Sequence, residues 1–171
     1  MELQSGIVCS VCKLEERVVC KGQDYGRKLF YKCKRCRRYS INSAAKRIAE
    51  NHFSILLSAW IREKNDFGSD PPEITSEIVK NIRNFVPNYS PSQKQLVLLW
   101  KIERKTDHPG QKVSIHPRFD FPMVWASCEE EMTYYVQLLV GRGLLSLDES
   151  SELDKEFPFY VKITGHKTLK G

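Results

Sequence analysis

A chain of 171 residues, 41% of them apolar and 28% charged, with 9 Gly and 8 Pro, is long enough for one domain or two small ones. That mixture excludes a collagen-like, mucin-like or wholly disordered chain, and the longest nearly apolar stretch, 53–61, falls far short of the roughly 20 residues that span a bilayer. The net charge of +6 is held unevenly: residues 1–50 carry twelve Lys/Arg against five Asp/Glu, and residues 51–171 fifteen against sixteen.

The basic first segment also holds five of the six cysteines. The start Met1-Glu2-Leu3 lacks the basic-then-apolar pattern of a signal peptide, so a cytoplasmic setting without a membrane partner is expected. In that setting paired cysteines hold metal more often than they form disulfides. Cys9-Ser10-Val11-Cys12 and Cys33-Lys34-Arg35-Cys36 are two C-x-x-C knuckles 20 residues apart. Each aims two thiolates into one volume, and two such knuckles complete a tetrahedron for structural zinc. A segment of about 40 residues has too little core to fold alone, so the ion supplies much of its stability.

Between the knuckles, 18–20 and 28–32 read as strands with Gly22 and Gly26 at their turn, and a third strand runs over 37–41. This is the outline of a zinc ribbon covering residues 1–42. Cys20 lies outside both knuckles and is read as a small packing residue; if it did serve as a ligand, Cys9 or Cys12 would be displaced. Period-2 geometry puts Lys28, Phe30 and Lys32 on one face and Leu29 and Tyr31 on the other. With Lys34, Arg35, Arg37 and Arg38 they form a basic stretch with an aromatic inside it, a pattern that tracks phosphates and stacks on bases. Four thiolates and one zinc ion carry −2 together, so the same cations also read as a solvated face that offsets this charge.

From Ala45 the pattern turns helical. Ala45, Ile48, Ala49, Phe53, Leu56, Leu57, Trp60 and Ile61 make one apolar stripe that predicts a single helix fading at Asn65, with His52 at its core or rim. A second helix is predicted over 76–85, capped by Thr75 or Ser76, with Ile78, Val79, Ile82 and Phe85 inward. Ser90-Pro91-Ser92-Gln93 offers a capping box with proline at the first helical position, opening a third helix to Lys105 that buries Leu96, Val97, Leu99 and Trp100. A short strand over 112–116 follows, then a fourth helix over 127–140 opened by a Ser127…Glu130 box and closed by Gly141 and Gly143. Strands at 144–147 and 159–163 flank the acidic loop 148–156. Helix, connector, helix and hairpin is the order of a winged helix, so the fold expected is α+β: a four-cysteine zinc ribbon, then a mainly helical winged-helix-like domain over 43–171.

A winged helix reads DNA with the N-terminus of its second helix in the major groove. Here that end is Glu129-Glu130-Glu131 and the wing is acidic, which disfavours groove binding and points to a scaffold or protein contact. No phosphate-cradling glycine loop, H-E-x-x-H helix or G-x-S-x-G elbow occurs. Cys128 opens a helix without an evident base beside it, and His108 and His116 precede prolines in turns. No enzyme site is expected.

The two knuckles with Tyr39 and Ile41, then Leu57-Ser58-Ala59-Trp60-Ile61-Arg62-Glu63, Ile74-Thr75, Gly143-Leu144-Leu145 and Ile163-Thr164-Gly165, resemble one bacterial arrangement. It is the N-terminal zinc-ribbon and winged-helix region of multidomain proteins of the antiviral-defence type. There an effector domain resembling TIR or nucleoside deoxyribosyltransferase follows. The resemblance implies the zinc ligands Cys9, Cys12, Cys33 and Cys36 and a regulatory role toward an effector domain or partner subunit. The effector would lie beyond Gly171 or on another chain. The alternative is a nucleic-acid-binding regulator acting through the basic ribbon.

Overall fold

The β-forming segments around the second knuckle pair as a meander. In the computed structural model, β1 (Val19–Gln23), β2 (Lys28–Cys33) and β3 (Arg37–Asn42) run antiparallel, with Cys20 opposite Tyr31 and Tyr31 opposite Tyr39. The structure describes residues 7–15, 19–23, 28–51, 54–68, 70–108, 110–148 and 158–164, with backbone alone at 19–23 and 159. The packing expected of the Cys20 side chain, and the positions of His52 and Phe53, lie outside the described residues.

The helical stripe read as one helix is two. Asn42 caps α1 (Ser43–Glu50), its side chain accepting from the Ala45 amide at 2.8 Å. Ser54 caps α2 (Ile55–Phe67), accepting from the Leu57 amide at 3.1 Å. A serine oxygen that satisfies a free N–H begins a new helix even where the apolar spacing runs on. β4 (Glu73–Ile74) then adds to β3 in parallel, with Ile41 opposite Ile74, giving the sheet order β1-β2-β3-β4. Thr75 caps α3 (Ser76–Asn81), which tightens into a 3-10 turn over Ile82–Phe85. Of its expected inward residues Ile82 is buried, Ile78 and Val79 are half-buried, and Phe85 is 50% exposed.

Tyr39, Ile41, Ala45, Ala49, Leu57, Ile61 and Ile74 form a buried core joining β3 and β4 to α1 and α2. Each large aliphatic side chain among them contributes about 1.5–3 kcal/mol by leaving water. Strands β3 and β4 and helices α1 and α2 therefore share one core. The chain divides into two compact units, Met1–Asn88 and Tyr89–Gly171. A two-residue parallel strand, which local pattern does not announce, ties residue 74 to residue 41.

The second unit opens with α4 (Pro91–Glu103), whose Ser90–Gln93 capping box forms as expected. Its buried residues are Gln95, Leu98, Lys101 and Ile102, whereas Leu96 and Trp100 are 57% and 40% exposed. The expected inward face is thus turned by about one residue step: the run is apolar on nearly all sides, and its neighbour decides which side is covered. β5 (Val113–Ile115), α5 (Pro117–Asp120), a 3-10 turn over Phe121–Val124 and α6 (Glu129–Gly141) follow. Strands β6 (Leu145–Leu147) and β7 (Phe159–Ile163) complete an antiparallel sheet of order β5-β7-β6. Gly143, at φ +67°, ends α6; the amides of Gly143 and Leu144 return to the carbonyls of Val140 and Leu139 at 2.9 Å. Only a residue without Cβ adopts that turn at no cost. The box at the other end differs from expectation: the Ser127 amide and hydroxyl both reach Glu131, at 2.6 Å, not Glu130. Among the described residues six α-helices and two small sheets give a mixed α/β protein, and no helix is long and apolar enough to cross a membrane.

Candidate metal centre

Each knuckle turns by placing the residue after its second cysteine in the left-handed region. Lys13 has φ +57° and Arg37 φ +74°. In the first knuckle the Lys13 amide donates to the Cys9 carbonyl at 3.0 Å and the Cys9 amide to the Leu14 carbonyl at 2.9 Å. In the second, Cys33 and Arg37 are cross-strand partners, so Lys34-Arg35-Cys36 is the turn of the β2–β3 hairpin. The two turns face each other and bring Cys9, Cys12, Cys33 and Cys36 together.

All four sulfurs are buried and lie within 4.8 Å of one another. Cys9 Sγ is 3.8 Å from Cys36 Sγ, and Cys12 Sγ is 3.5 Å from Cys33 Sγ. A disulfide needs about 2.05 Å, and none links these four. A tetrahedron with metal–sulfur bonds of about 2.3 Å has edges of about 3.8 Å, close to these two separations. The four cysteines named from sequence are thus one cluster that fits a metal ion such as zinc. Cys128 is half-buried at the start of α6 in the other unit and has no part in it.

The protonation of the four thiols points the same way. Hydrogen bonds from Cys12 first, then Cys33 and Cys36, push the Cys9 thiol down; the bond with Cys12 likewise lowers Cys33. Cys12 is raised, chiefly by its bond with Cys33, and burial raises Cys36. Four thiolates in one buried volume cannot all hold negative charge against one another, and a dication is what reverses this.

Around the sulfurs is a polar shell that local sequence reading missed. The Tyr39 hydroxyl lies 3.1 Å from Cys9 Sγ, and the Ser58 hydroxyl 3.3 Å from Cys36 Sγ. Tyr39 stacks on Tyr31, and Ser10 Oγ donates to the Tyr31 hydroxyl at 2.8 Å. Burial, then the charges of Cys9 and Cys36, hold the Tyr39 phenol well above its ordinary pKa, so it stays a donor. From α2, Arg62 Nη1 donates to the Arg35 carbonyl at 2.9 Å and Asn65 Nδ2 to the Arg38 carbonyl at 2.8 Å. Ser58, Arg62 and Asn65 share one helix face, and Arg62 is only 2% exposed. That polar stripe on an otherwise apolar helix was the available signal; only the fold shows that it fastens the second knuckle.

The seven basic-stretch residues are spread along the hairpin. Lys28 pairs with Glu73 at 2.6 Å and sits over the half-buried Phe30 ring, 5.6 Å from its centroid, at the end of β2 away from the knuckle. Lys32 and Arg38, both exposed, stand directly opposite each other on β2 and β3. Lys34 and Arg35 are half-buried in the knuckle, with Arg35 Nη1 3.5 Å from the Cys12 carbonyl, and Arg37 is exposed beside it.

In the second unit, two of the carboxylates that disfavoured groove binding are already engaged. Burial raises the Glu131 carboxyl, but hydrogen bonds from Lys94, Ser127 and Tyr135 outweigh it and bring its pKa down to about 2. Asp148 pairs with Lys112 and Lys162. Comparison with known proteins returns no matching family model, curated protein or solved structure.

Proposed function

We propose that this chain is a zinc-dependent recognition module, a zinc ribbon built into a helical unit and followed by a winged-helix unit, that works by contacting an effector domain or partner subunit. The observation that carries the reading is the tetrahedral spacing of four buried sulfurs held in a shell of hydroxyl donors. Zinc is the ion of choice for an all-thiolate, closed tetrahedral set, where it supplies folding energy. The winged-helix assignment is supported by the order α4-β5-α5-α6-β6-β7 with the last strand central in β5-β7-β6. The exposed Leu96 and Trp100 on α4 favour a protein contact. The resemblance to defence-type multidomain proteins makes an effector domain the class of partner. Cys9, Cys12, Cys33 and Cys36 would hold the ion; Tyr39 and Ser58 orient two of the thiolates.

The test combines metal analysis with co-expression. One zinc per chain is expected, together with stable association of a cognate effector chain that Leu96→Asp with Trp100→Asp abolishes without loss of zinc. A zinc-free folded protein would sink the metal reading; association unaffected by the double substitution would sink the α4 contact.

One observation favours a second reading, binding of nucleic acid by the ribbon. Like charges directly opposite on neighbouring strands destabilise a hairpin, and a phosphate backbone across Lys32 and Arg38 would relieve that. This reading expects retention of DNA or RNA that falls steeply with salt and is lost on Lys32→Glu with Arg38→Glu. Absence of retention at low salt rejects it.

A further inference from the structure

The first unit carries a second polar feature, away from the cysteines. Ile41 and Ile74 are partners in the parallel β3–β4 pair, and the caps Asn42 and Thr75 follow immediately, so α1 and α3 start side by side at the same end of the sheet. Between them lies a cleft of about 440 Å³ lined by Ala44, Arg47, Ile48 and Asn51 from one face of α1 and by Ser76 and Lys80 from one face of α3.

The lining contains two cations and no carboxylate. Arg47 and Lys80 are exposed and, among the described residues, belong to no ion pair, whereas Lys46 next in sequence is taken by Glu50 at 3.4 Å. Both sit in the last turn of their helices, where the dipole favours a cation. Two cations and no carboxylate give the cleft a positive field that favours an anion. Beside the cations, Ala44 and the half-buried Ile48 offer an apolar wall, and Asn51 and Ser76 add polar residues to the lining.

We propose that this cleft binds a small soluble phosphate monoester with an apolar body. A phosphate monoester carries close to two negative charges at neutral pH and accepts hydrogen bonds on three oxygens. Arg47 supplies a two-pronged donor and Lys80 a point charge, from opposite walls. The body of the ligand lies on Ala44 and Ile48. The site is independent of the cysteine cluster and of the winged-helix reading.

The test is titration of the metal-loaded full chain with phenyl phosphate, inorganic phosphate and phenol, followed by amide NMR shifts and calorimetry. Saturable shifts confined to residues 44–51 and 76–80 are expected with phenyl phosphate, weaker ones with inorganic phosphate, and none with phenol. Arg47→Ala and Lys80→Ala, both surface changes, should each weaken phenyl phosphate about tenfold while leaving the zinc content unchanged. No saturable shift at millimolar phenyl phosphate, equal binding of phenol, or unchanged affinity in both variants overturns the proposal. Displacement of phenyl phosphate by far lower concentrations of an oligonucleotide also overturns it, assigning the cleft to a nucleic-acid backbone.

Discussion

Tyr31 and Tyr39 stand opposite each other on β2 and β3 and stack face to face, ring centroids 5.1 Å apart and planes 6° from parallel. Their hydroxyls both reach the first knuckle, one at Ser10 and one at Cys9 Sγ. The pair thus ties the hairpin that carries Cys33 and Cys36 to the turn that carries Cys9 and Cys12. Tyr39→Phe keeps the stack and the buried ring but removes the hydroxyl beside a thiolate. Zinc affinity, measured by competition with a chromophoric chelator, should fall about tenfold with the circular dichroism unchanged. Ser58→Ala should act in the same direction at Cys36. Affinity unchanged in both variants would mean that the hydroxyls only fill space.

Loss of the ion should propagate beyond the ribbon. α2 holds the second knuckle through Ser58, Arg62 and Asn65, and β4 pairs with β3, so the cysteine cluster and the helices of residues 43–88 share one core. Cys33→Ser or chelation should raise amide exchange across residues 7–88, while 89–164 keep their protection. Exchange confined to residues 7–42 would show that the helices fold without the ribbon.

What was legible in the sequence was local. The cysteine cluster follows from two short C-x-x-C spacings, and the three strands of the hairpins from period-2 alternation; of the glycines expected at the first turn, Gly22 lies within β1 opposite Leu29, and Gly26 lies outside the described residues. The α4 cap could be read because Ser90, Pro91 and Gln93 lie within one turn. The misreadings came from partners distant in sequence. The stripe from Ala45 to Ile61 keeps helical spacing across a break, and the break is set by Ser54 satisfying the Leu57 amide. On α4, Leu96/Trp100 and Leu98/Ile102 are equally apolar stripes. Lys94 bonded to Glu131, and Gln95 to Arg142, select the second for burial. Nothing local marks Glu73–Ile74 as a strand, yet it pairs in parallel with β3 across more than thirty residues of sequence.

The knuckle turns themselves store strain. Lys13 and Arg37 hold left-handed φ values, at a cost of about 1–2 kcal/mol for a residue with a Cβ. Lys13→Gly removes that cost but loosens the unfolded chain and forgoes the Nζ contact with the Ser10 carbonyl at 3.3 Å. Lys13→Ala forgoes the contact and keeps the strain. Denaturant unfolding of the metal-loaded protein should therefore find the glycine variant more stable than the alanine variant by about 1 kcal/mol. Equal stabilities would indicate that the turn relaxes without its metal-side hydrogen bonds.

Glu131 sets the acid limit of the second unit. Its carboxyl, four-fifths buried between Lys94, Ser127 and Tyr135, titrates at about 2 in the folded chain against 4.5 when unperturbed. A carboxyl lowered by folding stabilises above its unfolded value, and the stabilisation is lost as pH falls from about 4.5 through about 2. Allowing for partial exposure, the contribution is about 1–2 kcal/mol. Acid also strips metal from the thiolates of the first unit, so the profile has to be read on second-unit signals such as the methyl resonances of Ile115, Met132 and Val161, all buried there. Glu131→Gln should lower stability at pH 7 and flatten the acid limb below pH 4.5, the two curves converging near pH 2. Parallel curves over that range would show that Glu131 titrates alike in folded and unfolded chains, and that the bond from Lys94 places α4 against α6 without charge stabilisation.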